Sequence, residues 1–79
     1  MSAIKLGMRF RAGVMSLTLL CLTETADTNL ALVFCSKFTQ FITVRNLRLW
    51  KNKYTWDWGN YFQDVRQAVD DYYARKKNL

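Results

Sequence analysis

Between Ala12 and Val44 the chain runs for 33 residues with three charges, Glu24, Asp27 and Lys37, and no proline interrupts it. A run this apolar has to be buried, so whatever it forms is the core of a chain of 79 residues. It divides into two stretches, AGVMSLTLLCLT and LALVFCSKFTQFITV, around the polar connector Glu24-Thr25-Ala26-Asp27-Thr28-Asn29. Asp27, Thr28 or Asn29 is placed to cap a helix beginning near Leu30. Both stretches exceed the mean strand length, and with proline absent and glycine sparse they predict a helical hairpin over 12–44. A β reading competes with it: Ser16-Leu17-Thr18-Leu19 alternates, and Phe41-Ile42-Thr43-Val44 is rich in strand formers.

Neither stretch is long enough to cross a bilayer as a helix, which takes about 20 apolar residues. From Leu30 to Val44 the apolar side chains gain roughly 2.4–4.8 kcal/mol on insertion, and a central Lys37 costs roughly 2.5–3.5 kcal/mol. The sum is near zero. The segment is therefore expected to be shielded by neighbouring subunits, to lie at a membrane interface with Lys37 reaching for water, or to fill a soluble core.

Charge is unevenly spread. Twelve Lys and Arg against six Asp and Glu give +6. Lys5, Arg9 and Arg11 near the amino end and Arg45, Arg48, Lys51 and Lys53 after the apolar run face no acid within their blocks. Met1 to Arg11 is basic and acid-free, and on a helical wheel Ile4, Met8 and Arg11 share a side, so it resembles an amphipathic mitochondrial import segment, here one retained on the chain.

The second block, RNLRLWKNKYTWDWGNY, interleaves charge with aromatics. As a helix it would place Arg45, Arg48 and Asn52 on one face and Leu47, Trp50 and Tyr54 on another. Arg45, Arg48, Lys51, Lys53, Trp50, Tyr54, Trp56 and Trp58 are the candidate contacts to a membrane interface, to lipid headgroups or to phosphates. The same mixture of cations and rings serves single-stranded nucleic-acid binders, and a solvated basic face is the plain alternative. After a break at Trp56-Asp57-Trp58-Gly59-Asn60, with Thr55, Asp57 or Asn60 as cap, residues 60–77 predict an amphipathic helix. Its stripe includes Tyr61, Phe62, Val65, Val69 and Tyr72, taken as partner-packing residues, and Asp71 to Arg75 is a favourable i,i+4 pair.

Catalysis has little to work with. Histidine is absent, which removes the commonest general base and metal ligand. Glu24 with Asp27 reads as a cap or turn, Asp70 and Asp71 point different ways on a helix, and Ser36 beside Lys37 cannot act as a dyad on a helix. Gly7, Gly13 and Gly59 are too dispersed for a phosphate loop. Cys21 and Cys35 flank the connector, where a disulfide is conceivable and two buried thiols are the plainer reading. No catalytic, cofactor or metal site is expected.

The fold expected is all-α and not independently globular: a single unit with a basic arm over 1–11, an apolar hairpin over 12–44, a basic and aromatic junction over 45–59 and an amphipathic helix over 60–77. At class level these features resemble a non-catalytic accessory subunit of a mitochondrial inner-membrane complex, of respiratory-chain or ATP-synthase type. It would brace other protein subunits and touch lipid, without a small-molecule substrate. The alternative is a small RNA-associated protein such as an organellar ribosomal subunit, with Arg45, Arg48, Lys51 and Lys53 on phosphates.

Overall fold

The computed structural model describes residues 4–79. The first three residues of the expected basic arm lie outside them. Among the described residues the elements are β1 (Arg9–Ala12), β2 (Met15–Glu24), β3 (Asn29–Cys35), β4 (Gln40–Arg45), β5 (Arg48–Trp50), β6 (Lys53–Thr55), β7 (Trp58–Phe62) and α1 (Val65–Lys76). An antiparallel sheet in the order β1-β2-β3-β4-β7 forms the middle layer. The β5–β6 hairpin covers one face and reaches back beside β1, while α1 covers the other.

This overturns the all-α expectation, and the reason lies in β3. Leu30, Ala31, Leu32 and Val33 are all buried, because Leu30 and Leu32 face α1 while Ala31, Val33 and Cys35 face the hairpin side. A strand covered on both faces shows no alternation, and so reads like a helix. The chain also carries its own two-sided core, contrary to the expectation that it could not be globular alone.

β2 hides its period differently. Leu17 and Leu19 pair with Cys35 and Val33 on the hairpin side, but Leu20 has no partner and Cys21 pairs with Leu32. The bulge resets the alternation, so Leu22 returns to the hairpin side while Cys21 and Thr23 turn towards α1. The two thiols therefore lie on opposite faces of the sheet and both are free.

The expected connector is a turn, but between strands. Thr25 N–H donates to the Thr28 carbonyl at 2.9 Å, and Glu24 pairs with Asn29. The arm is corrected too: Arg9 to Ala12 is a strand joined to β2 through Gly13, whose φ of +63° suits the first loop position of a type II′ turn. The junction expected as an amphipathic helix is the β5–β6 hairpin.

The helix is shorter than expected. Asp64 caps it, its carboxylate accepting from Arg66 N–H at 2.9 Å, so Tyr61 and Phe62 belong to β7 instead. Ala68 and Tyr72 seat α1 on β3, and Tyr72 shares a 2.5 Å hydrogen bond with Thr23. Asp71 ties the helix to the sheet, accepting from the buried Thr43 hydroxyl at 2.6 Å and from its expected partner Arg75 at 3.1 Å. Among the described residues no helix is long and apolar enough to cross a membrane.

Candidate nucleic-acid interface

The hairpin turns at Lys51-Asn52, between the paired residues Trp50 and Lys53. Both loop residues have positive φ, +50° and +65°, the geometry of a type I′ turn. Asn suits that geometry, whereas Lys51 does not and pays a strain of about 1 kcal/mol. The turn sets a cation at the tip of the hairpin.

Cross-strand pairing makes Trp50 and Lys53 share one face of the ribbon. That face is outward, because Tyr54 alternates inward and packs on Phe10 with ring centroids 4.8 Å apart. Trp50 is accordingly 61% exposed, and the Lys51 ammonium stands 5.7 Å from its ring. The Phe10 contact also fixes β1 beside β6. Since Phe10 points in, Arg9 and Arg11 point out, and Arg11, Gly13, Asn52 and Lys53 line an open groove of about 480 Å³. No acidic residue lines it.

Two anchors hold the ribbon in place. Asn29 accepts from Leu47 N–H at 2.8 Å and donates to the Leu47 carbonyl at 2.9 Å, so its amide acts as a strand partner for a buried residue. At the base, Asp57 accepts from Asn46 and from Arg48, each at 2.9 Å. The Asn46 hydrogen bond first, then that of Arg48, hold the Asp57 carboxyl below the usual carboxylate range.

The residues singled out from sequence thus separate. Trp50, Lys51 and Lys53 come together at the tip. Arg48 is engaged by Asp57, Tyr54 packs inside, and Trp56 lies against the hairpin-side core. Arg45 and Trp58 face α1, where they line a recess of about 80 Å³ and Arg75 stacks on Trp58 at 4.2 Å. Phe62, Val69 and Tyr72 pack on the chain's own sheet, whereas Tyr61 and Val65 stay exposed. Arg11, which lines the groove, and Arg9, exposed two residues before it, were not singled out from sequence, although the alternation Arg9-Phe10-Arg11-Ala12 is a strand signal.

Glu24, Asp27, Ser36 and Lys37 are exposed at turns or strand ends. Among the described residues no cluster of His, Cys, Asp or Glu gathers that could hold a metal ion. Comparison of the chain with protein-family models, with curated proteins and with solved structures finds no match.

Proposed function

We propose that the protein is a single-stranded nucleic-acid binding module that uses the outer face of β1 and the β5–β6 hairpin. The observation that carries this reading is Trp50, 61% exposed and in register with Lys53, which lines an open groove together with Arg11. A large exposed ring beside unpaired cations suits a base stacked on the indole with its phosphates on Arg9, Arg11, Lys51 and Lys53. Stacking needs unpaired bases, so single strands are favoured over duplex. The accessory-subunit expectation uses the same basic and aromatic residues but takes its membrane contact from an apolar helical hairpin. With residues 12–44 taken up in a sheet, nucleic acid is the better-supported partner.

Titration of fluorescently labelled oligonucleotides tests this. Four phosphate contacts give an expected slope of log Kobs against log salt of roughly −3. Trp50→Ala is expected to weaken binding about tenfold, near the low end of what one stacked base contributes. Lys51→Asn is the sharper variant: relieving the left-handed lysine is expected to leave the fold as stable or raise its melting temperature, while affinity and salt slope both fall. Binding without salt dependence, or affinity unmoved by Trp50→Ala and Lys51→Asn, refutes the reading.

A further inference from the structure

Phe10 pairs with Leu17 on the hairpin side of the sheet, so Arg9 and Arg11, paired with Thr18 and Ser16, belong to the opposite face, the one that carries α1. The register continues that row across the sheet. Arg9, Thr18, Phe34, Phe41 and Phe62 stand side by side on β1, β2, β3, β4 and β7. α1 packs on β3, β4 and β7 and is seated on Leu30 and Leu32, earlier along β3. Phe41 and Phe62 pack on that helix-side core, while Thr18 and Phe34 stay half-buried and Ser16 exposed. Phe34 lies against Phe41 with ring centroids 5.0 Å apart. The row holds no acid, and among the described residues neither Arg9 nor Arg11 is in an ion pair.

We propose that a single strand bound at the hairpin continues over the β1 edge onto this row, with its phosphates on Arg11 and then Arg9 and a base stacked on Phe34. This rests on the nucleic-acid reading of the hairpin and adds to it a path and a second stacking site. Arg11 joins the two surfaces, because it lines the groove with Lys53 and stands on β1 two residues from Arg9. Two residues along a strand span about 7 Å, and Phe34, two strands from Arg9, is about 10 Å away. Between them Thr18 is small enough to leave room for a sugar. A path that turns round a sheet edge within such distances suits a flexible single strand, whereas a duplex is too stiff to follow it.

Titration of labelled oligonucleotides of about four and about eight nucleotides separates the two stacking sites. Phe34→Leu keeps an apolar side chain but removes the ring; it is expected to weaken binding of the longer strand about tenfold and to leave the shorter unmoved, while Phe34→Tyr binds both like the parent. Photocrosslinking of longer strands carrying iodouracil is expected to label Phe34 in the unaltered protein, a readout that no loss of stability can imitate. A longer strand held as tightly by Phe34→Leu as by the parent overturns the proposal, as do crosslinks confined to the hairpin, and in both cases binding of the short strand still sustains the hairpin site. Failure of both lengths to bind refutes the hairpin reading and the path together. Self-association of the free protein that Phe34→Leu abolishes would put a second copy on the row, and overturns the proposal as well.

Discussion

Replacing Asn29 by Ala is expected to destabilise the protein by about 2–4 kcal/mol, because it strands both backbone groups of Leu47. Leu47 is 1% exposed, and its N–H and carbonyl are paired by the Asn29 amide at 2.8 and 2.9 Å. Water cannot reach them without opening the hairpin-side core. In a domain of this size such a loss lowers the melting temperature by roughly 10–20 °C. Asn29→Asp makes the control: the carboxylate still accepts from the Leu47 N–H but faces the Leu47 carbonyl with a second acceptor, so it rescues little. Thermal melts followed by circular dichroism measure the stability. The variants also bear on function, since Leu47 sits where the chain leaves β4 for the ribbon carrying Trp50, Lys51 and Lys53. Affinity for single strands is expected to fall with either variant while the salt slope changes little, because all four cations remain. A melting point within about 2 °C of the parent would mean that Leu47 finds other partners.

How much of this was legible in the sequence differs from element to element. The turn at Glu24–Asn29 and the pair of Asp71 with Arg75 are local, and both can be read from neighbouring residues. The type of element flanking that turn cannot, because Leu30 to Val33 are buried on both faces and so lack a period. In β2 the period exists but is broken at Leu20, where the bulge moves Cys21 and Leu22 to the opposite faces from those an unbroken strand would give them. The Lys51-Asn52 turn lacks the glycine that usually announces a two-residue hairpin, which let residues 45–54 pass for a helix. The candidate site was half legible for a related reason. Trp50, Lys51 and Lys53 are neighbours in sequence, whereas Arg11 joins them only because Phe10 meets Tyr54 across the fold. Contacts of that range leave no local signature.

Asp71→Ala is expected to cost about 2–3 kcal/mol at neutral pH, and the loss to shrink in acid. Most of it comes from Thr43, fully buried with its hydroxyl donating to Asp71 at 2.6 Å, since an unmet buried hydroxyl costs about 1–3 kcal/mol. The ion pair with Arg75 is part-exposed on both sides and adds only about 0.5 kcal/mol. Burial alone would raise the Asp71 carboxyl, but hydrogen bonds from Thr43, Asn60 and Arg75 outweigh it and hold it below its ordinary 3.8. A carboxyl depressed in the folded state stabilises fully above its unfolded value and loses that contribution as pH falls through the folded one. Urea unfolding of the parent should therefore be flat from pH 7 to about 5 and then decline below about pH 4. Asp71→Asn keeps an acceptor for Thr43 without the charge, so it should start less destabilised than Asp71→Ala and decline less steeply in acid. The decline that persists in Asp71→Asn measures the other carboxylates, Asp57 among them, whose carboxyl Asn46 and Arg48 also hold below its ordinary value. Parallel acid declines in parent and Asp71→Asn would show that the charge of Asp71 is not what fastens α1 to the sheet, and would leave that role to the packing of Ala68 and Tyr72.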